Sequence, residues 1–306
     1  MTTTIRVVRH ADVRAVLSDP GLVVPAPPEA SDGDAPLPSV PSLAWLRRRA
    51  TRFSTGTDHR RRRALASALL TGLPPVELRS AAAARARSAG PDEAPYVPVA
   101  VLAEALGVPR SDVPNAVAAV RDVAPAYFPG AGAGSERRAD TGVRALVGML
   151  PDVAPEETAQ RVCLLVQTCD ATAGLIRAAL EHGVPQDDDG TLFKASVTAL
   201  LSEALRFSPP APLIRRVAER GTRIGGAPVA AGTEVVLDLA AANRDPDVYA
   251  SPDRFVPHRF SGPRPAPPAL SFGSGERPCP GSDHALAMAT GVLHAHSAHA
   301  APARTR

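Results

Sequence analysis

The most informative segment of this chain is Phe272-Gly273-Ser274-Gly275-Glu276-Arg277-Pro278-Cys279-Pro280-Gly281. Its single cysteine stands between two prolines, with three glycines nearby. Glycine lets the backbone approach a flat ligand closely and adopt positive φ, and proline stiffens the chain on either side. A surface loop that holds a free thiol is the plain alternative. A dinucleotide-binding G-x-G-x-x-G loop is excluded because Pro278 stands where the last glycine would be.

The same segment has the residue types of a metal-ligand loop. A thiolate held among glycines, with backbone N–H groups free to point at sulfur, is what axial ligation of haem iron requires. The segment resembles the cysteine-ligand loop of cytochromes P450, F-G-x-G-x-[HR]-x-C-x-G, at every defined position. The resemblance implies haem b (iron protoporphyrin IX) as cofactor and Cys279 as its proximal metal ligand. It also implies that Phe272, Gly273 and Gly281 lie beside the haem.

A second motif is an acidic and a basic residue three positions apart on a predicted helix, Glu203 and Arg206. Such residues share a helix face, and an exposed pair of this kind is common and contributes little. Here the neighbours are apolar, which favours a buried face: Leu200, Leu201, Leu205 and Phe207. The pair matches the P450 E-x-x-R motif, and Arg259 stands where the third member of that ion cluster is expected.

The segments between these motifs follow the P450 order. Residues 224–236 resemble the family's β-hairpin, and Ala242-Asn243-Arg244-Asp245-Pro246 follows it. The resemblance runs continuously from about residue 160 to 290. It implies a mainly α fold with small β-sheets, as a single P450-like domain over residues 1–306. Within it, 155–295 would be the haem-binding core and 1–130 a partial N-terminal region.

Composition limits the class of protein. The chain has 44% hydrophobic residues, and its three cysteines show no disulfide or metal-binding spacing. No N-terminal signal and no uncharged apolar run of membrane-spanning length is apparent, so we expect a cytoplasmic protein without a membrane anchor. A net charge of +3 and few aromatic residues among the arginines argue against nucleic acid as a partner.

Basic residues nevertheless cluster at 47–49, at Arg52 and at 60–63. A solvated surface is the plain interpretation. The resemblance assigns two further tasks to this region and to later arginines. The residues expected to bind the haem propionates by charge-assisted hydrogen bonds are His59, Arg63, Arg216 and Arg277. The remaining arginines would face an acidic partner, either a ferredoxin-type redox protein or a carrier protein that bears the substrate.

The predicted central helix departs from the family pattern. Its segment 164–174 aligns with A-G-x-[DE]-T-[TS], where Asp170 keeps the acidic position but Ala171 replaces the threonine of the proton relay. Ordered proton delivery needs a side chain that can donate, and alanine has none. Asp170, with Thr168 or Thr172 as a substitute hydroxyl, is therefore the predicted catalytic set. An ordinary packing helix is the alternative.

The stretch between Pro109 and this helix appears short for the two lid helices of a P450, and the segment after Gly281 appears short for the terminal hairpin. We therefore expect a reduced lid and a more open distal pocket. The favoured function is a P450-type monooxygenation of a small organic molecule in secondary metabolism, such as antibiotic biosynthesis. A haem-thiolate enzyme that does not activate dioxygen (peroxide-dependent, isomerase or dehydratase) is the first alternative. A non-catalytic auxiliary protein is the second, and the retained Cys279 argues against it.

Overall fold

A long central helix and the helices around it make up most of the molecule. The computed structural model describes residues 3–27, 37–183, 194–261 and 263–300. The protein is 57% helical with small sheets, which confirms the predicted fold class. In chain order the helices are α1 (His10–Ser18), α2 (Leu43–Arg49), α3 (Gly56–Thr71), α4 (Pro75–Ala86), α5 (Val97–Ala105), α6 (Val113–Tyr127), α7 (Ala133–Met149), α8 (Pro155–Glu181), α9 (Lys194–Phe207), α10 (Leu239–Ala242) and α11 (Ser282–Ala300).

Helix α8 is the centre of the larger hydrophobic core. It begins with Pro155 in its first turn, followed by Glu156 and Glu157, which suit the positive end of the helix dipole. Its buried face contacts α3, α5, α6, α9 and α11. In the described part of the chain it is the one helix long and apolar enough to cross a membrane, with mean hydropathy 1.3 over its most apolar window. Because 67% of that window is buried inside the protein, the hydropathy reflects core packing.

A small mixed sheet forms a second core. The strands are β1 (Thr4–Val7), β2 (Leu22–Val23), β3 (Leu213–Ala218), β4 (Thr222–Ile224), β5 (Ala227–Val229) and β6 (Glu234–Asp238). The larger sheet has the order β1-β6-β3-β2, with β1 parallel to β6 and the other pairs antiparallel. The predicted hairpin is present as β4 and β5, joined by Gly225 and Gly226 at φ of 56° and 82°. Two residues with positive φ are what a tight hairpin turn requires.

Strand alternation in β3 decides which of two consecutive arginines faces inward. Successive side chains of a strand point to opposite faces. Arg215 is consequently exposed and pairs with Glu234, whereas Arg216 is buried. The sheet thereby directs one arginine toward the interior of the molecule.

The segment expected to be short for a lid nonetheless folds into two full helices, α6 of 15 residues and α7 of 17 residues. They pack closely because Gly142 lacks a side chain: a Cβ there would lie 2.8 Å from the Ala119 carbonyl oxygen. At the end of α6, the buried Arg47 donates hydrogen bonds to the carbonyl oxygens of residues 126, 127 and 128. These are the carbonyls that a helix end leaves without partners. The segment thus has room for two helices, and a reduced lid stays a prediction.

The predicted ion cluster is present and fully buried. Glu203 and Arg206 are both 0% exposed and form two hydrogen bonds of 2.7 Å. Arg259 completes the cluster with its Nε 3.1 Å from Glu203. Arg206 also donates to the backbone oxygens of Asn243, Pro252 and Arg254, at 3.0, 2.8 and 2.9 Å. The cluster therefore fastens α9 to the irregular segment that precedes the cysteine loop.

Asn243 continues this connection into the loop itself. Its Oδ1 accepts a hydrogen bond from the Leu270 backbone N–H at 2.9 Å, and its Nδ2 donates to the Ser271 hydroxyl at 3.1 Å. The same hydroxyl donates to the Leu205 carbonyl on α9 at 2.6 Å. Farther along, Gly275 has φ of 69° and lies directly against α1, where a Cβ would come within 2.7 Å of the Ser18 Cα. The loop is thus held at its start by the Asn243 and Ser271 side chains and near its middle by the close approach of Gly275 to α1.

We expect Glu203→Ala or Arg206→Ala to lower the free energy of unfolding by about 3–5 kcal/mol, because each leaves an uncompensated buried charge. The control is Arg110→Ala, which removes an ion pair with Glu104 whose side chains are 86% and 34% exposed. That variant should lose no more than about 1 kcal/mol. Urea unfolding of the three proteins measures the difference. Equal losses in all three would show that the buried pair adds no more than a surface pair.

We expect Gly275→Ala to destabilise the protein more than Gly226→Ala. Both residues have positive φ, which costs a non-glycine residue about 1–2 kcal/mol. A Cβ at Gly226 meets no atom within 4 Å, whereas one at Gly275 collides with the backbone of α1. Overpacking adds roughly 1–3 kcal/mol to the second variant. Thermal melting checks this, and identical melting temperatures would mean that the loop moves away from α1 freely.

Candidate active site around Cys279

The cysteine loop turns so that Cys279, which is exposed, lines a cavity. The Cys279 backbone N–H donates to the Phe272 carbonyl at 2.7 Å, which closes the loop. Burial raises the pKa of the Cys279 thiol, while the Gly281 backbone N–H and the Arg63 guanidinium act in the opposite direction. These two groups stabilise a thiolate, and a bound cation would favour it further.

The cavity has a volume of about 310 Å³. Its walls come from the cysteine loop, from α3, α6 and α8, from β3, and from the short 3₁₀ turn Thr51–Phe53. Phe272, Gly273 and Cys279 line it, as the sequence predicts. Gly281 lies outside the lining and packs near Leu70 of α3, so its contribution is the backbone N–H toward sulfur.

Helix α8 contributes a polar stripe to the cavity. Asp170 and Ala171 line it, in agreement with the sequence prediction. Thr168 and Thr172 do not, and Thr172 is buried in the core. Thr168 lies one turn from both Leu164 and Ala171, which line the cavity. A role for Thr168 or Thr172 as a substitute hydroxyl stays a prediction.

Sequence reasoning missed three α8 residues on the cavity wall, Gln160, Cys163 and Gln167. Gln167 donates to the Cys163 carbonyl at 3.2 Å. The Cys163 thiol accepts a hydrogen bond from the Tyr127 hydroxyl at 3.6 Å, and burial raises its pKa to about 12. Counting back from Asp170 in steps of three and four gives 167, 163 and 160. The helical period alone could have identified them.

The four residues proposed for the haem propionates meet at the mouth of this cavity. These residues line both the cavity described above and a second, outer cavity of about 750 Å³; they are His59, Arg63, Arg216 and Arg277. Burial lowers the pKa of Arg216 to about 10, with repulsion from Arg52 and Arg277 adding to the effect. Burial, with Arg277 and other arginines, lowers the pKa of His59 to about 4, so this imidazole is neutral at pH 7. The mouth therefore holds positive charges that repel one another.

Protein carboxylates neutralise this group only in part: Glu276 attracts Arg277, but no carboxylate in the described ranges forms an ion pair with these arginines. Within the described ranges, Arg63 and Arg216 form no ion pair, and Arg277 donates to the Ser54 carbonyl at 2.9 Å. Unpaired charges are costly to bury, so an anion is expected here. No group of three His, Cys, Asp or Glu side chains in the described part of the chain could hold a metal ion. A metal bound to Cys279 would therefore bring its other ligands with it. A haem, with an iron in a nitrogen macrocycle and two carboxylates, fits these residues.

Comparisons with known proteins agree with this geometry. Residues 196–295 match the family model described as Cytochrome P450. The putative cytochrome P450 137 of Mycobacterium tuberculosis is 43% identical over 102 residues, which cover 33% of this chain and 21% of that protein. Erythromycin C-12 hydroxylase of Saccharopolyspora erythraea is 26% identical over an alignment that covers 90% of this chain and 77% of the hydroxylase.

A solved structure shares the fold. The crystal structure of P450BioI in complex with hexadec-9Z-enoic acid ligated acyl carrier protein aligns with a TM-score of 0.72 and 21% identity. The alignment covers 94% of this chain and 83% of that chain. P450 proteins bind haem through a cysteine thiolate. Residues 196–295 thus match the cytochrome P450 family, and the chain has the fold of solved P450 structures.

Proposed function

We propose that the protein is a haem-thiolate oxidoreductase that carries out a P450-type oxidation of a small organic molecule. The observation that carries this proposal is Cys279 at the base of a cavity whose mouth holds cations without carboxylate partners. A haem bound there would supply the redox chemistry that these side chains lack. The protein would act as one domain in which residues 155–295 hold the cofactor.

The proposed roles of the chain's own residues follow from their positions. Cys279 Sγ would bind the iron, with the Gly281 N–H directed at the sulfur. Arg63, Arg216 and Arg277 would form charge-assisted hydrogen bonds with the propionates, and the neutral His59 would add one more hydrogen bond. The apolar part of the lining, which includes Leu164, Val166 and Ile214, would exclude water.

Proton handling would fall to Asp170. Its carboxylate lines the cavity, next to Ala171 and one turn from Gln167. Asp170 Oδ atoms could accept and release a proton there, and the Gln167 amide could orient a water molecule beside them. No α8 residue on the cavity wall carries a hydroxyl, which distinguishes this site from the usual proton relay.

The proposed substrates and partners rest on the relatives. Similarity to erythromycin C-12 hydroxylase supports a substrate from secondary metabolism. P450BioI was solved with a loaded acyl carrier protein, which supports a carrier-bound substrate as one form. We further propose a ferredoxin-type redox partner that meets exposed arginines such as Arg60, and a cytoplasmic location.

A second candidate function is an oxidation or rearrangement that does not use dioxygen. The observation in its favour is Ala171 at the cavity wall, together with the absence of Thr168 and Thr172 from the residues that line the cavity. Without a positioned hydroxyl, proton delivery would be weaker. A peroxide-dependent enzyme, an isomerase or a dehydratase depends less on proton delivery than a dioxygen-activating enzyme does.

We expect Cys279→Ala to remove the thiolate-type absorption band of the reduced, CO-bound protein, because the band reports sulfur ligation of haem iron. Cys163→Ala is the matched control, since Cys163 lines the same cavity. Its thiol has a pKa raised to about 12 and should stay protonated, so the control variant should keep the band. Loss of the band in Cys163→Ala and its retention in Cys279→Ala would reverse the assignment.

We expect Ala171→Thr to increase the product formed per reductant consumed if the enzyme activates dioxygen. The new hydroxyl would stand beside Asp170, and a positioned proton donor contributes up to about 10²–10⁴-fold in rate. Ala171→Val is the control because valine has the shape of threonine without the hydroxyl. It should give no increase.

The comparison is made under air and under nitrogen with each protein. Turnover of the unmodified protein under nitrogen without reductant would refute the oxygen-dependent function and favour the second candidate. Equal coupling in the threonine and valine variants would show that position 171 has no part in proton delivery.

A further inference from the structure

Arg52 is a fourth cation in the lining of the cavity, beside Arg63, Arg216 and Arg277, and the proposed function leaves it without a role. It lies in the 3₁₀ turn Thr51–Phe53, between α2 and α3. Its guanidinium carbon stands 5.4 Å from the centre of the Phe128 ring. Within the part of the chain that the structure describes, Arg52 makes no hydrogen bond and no ion pair. A half-buried arginine whose guanidinium has no polar partner is suited to a ligand.

The turn that carries Arg52 is held firmly in place. The Thr51 hydroxyl donates to Gln160 Oε1 at 2.6 Å, and Gln160 Nε2 donates to the Arg49 carbonyl at 2.8 Å. On the other side, the Phe53 ring packs on Tyr127 with centroids 5.3 Å apart. Gln160 belongs to α8 and Tyr127 to α6, so both walls of the cavity fix the turn. The direction of Arg52 is therefore set by the fold.

Arg52 differs in position from the residues proposed for the propionates. His59, Arg63, Arg216 and Arg277 line both the inner and the outer cavity, as expected of groups at the mouth. Arg52 lines the inner cavity alone, together with Asp170 and Ala171 of α8 and Phe128 after α6. The four mouth residues already supply enough donors for two carboxylates. Arg52 consequently faces the chamber in which a substrate would lie.

The electrostatic surroundings favour an anion at this point. Burial lowers the pKa of Arg52, which means that its positive charge is poorly solvated. Arg52 also lowers the pKa values of Arg216 and Arg277 by repulsion. A negative group beside Arg52 would relieve both penalties. A planar guanidinium fork matches a carboxylate with two parallel hydrogen bonds, and one such cation matches a single negative charge.

We propose that Arg52 binds the carboxylate of the substrate, so that the molecule oxidised is an organic acid with an apolar body. The apolar body would contact Leu164, Val166, Ala171 and Ile214, which line the same cavity. This inference rests on the proposed function, since it names the class of substrate for the haem site. A haem propionate is the other carboxylate that Arg52 could bind, and the experiment distinguishes it from a substrate carboxylate.

The test uses haem-loaded protein and four variants: Arg52→Gln, Arg52→Lys, Arg216→Gln and Arg60→Gln. The first measurement is the rate of haem transfer to apomyoglobin. The second is calorimetric titration with two matched probe pairs, decanoate with decanamide and phenylacetate with phenylacetamide. Arg60→Gln controls for loss of a positive charge, since Arg60 is exposed and lines the outer cavity but not the inner one.

We expect the unmodified protein to bind at least one carboxylate about tenfold or more tightly than its amide, as a charge-assisted pair predicts. Arg52→Gln should abolish that preference and leave haem transfer unchanged. Arg52→Lys should keep part of the preference, Arg60→Gln should keep all of it, and Arg216→Gln should speed haem transfer.

Faster haem transfer from Arg52→Gln, to the extent seen for Arg216→Gln, would assign Arg52 to a propionate and overturn the inference. The inference would also be overturned if the haem-loaded protein bound neither carboxylate more tightly than its amide. It would be overturned as well if Arg52→Gln kept the preference for carboxylate over amide. A protein that takes up no haem would overturn the proposed function together with the inference.

Discussion

The buried ion pair between Glu203 and Arg206 is the interaction on which the geometry of the site depends. Both side chains are completely enclosed, and Arg206 distributes its remaining donors over three backbone carbonyls of the segment that leads to the cysteine loop. Asn243 and Ser271 then transmit the position of α9 to the first residues of that loop. A segment of irregular structure would otherwise have little to define its conformation. A buried pair is weak evidence for net stability, and its value here lies in specifying one arrangement.

The second constraint is an imbalance of charge around the cavity. Four arginines, at positions 52, 63, 216 and 277, approach it, whereas Asp170 is the one carboxylate in its lining. Folding brings these cations together against their mutual repulsion, as the lowered pKa of Arg216 indicates. An arrangement of this kind is costly unless anions join it. The charge of the lining residues alone therefore favours the binding of negatively charged groups in the cavity.

Helix α8 links the core to the chemistry. Its length and apolar composition make it the scaffold, and its one polar stripe faces the cavity with Gln160, Gln167 and Asp170. Neither Thr168 nor Thr172 is among the residues that line the cavity, so the stripe lacks a hydroxyl. Ala171 lines the cavity, whereas the next residue, Thr172, is buried in the core.

The sequence by itself determined the resemblance to P450 proteins, the buried E-x-x-R cluster and the helical fold, because each depends on residues close together in the chain. Spacing within a helix or a turn is set by local geometry, and so the cysteine loop and the pair at 203 and 206 could be recognised directly. The helical period also sets the face of α8 on which Thr172 lies, but its place at the cavity was predicted from the motif alignment alone.

The tertiary structure alone decided which residues distant in sequence come together. Helices α6 and α8 and strand β3 pack around one cavity and so bring together Arg52, Tyr127, Gln160 and Arg216. Neither the charge of these residues nor their order in the chain predicts this. The close packing of α6 and α7 likewise depends on Gly142 against α6, a contact without a sequence signature.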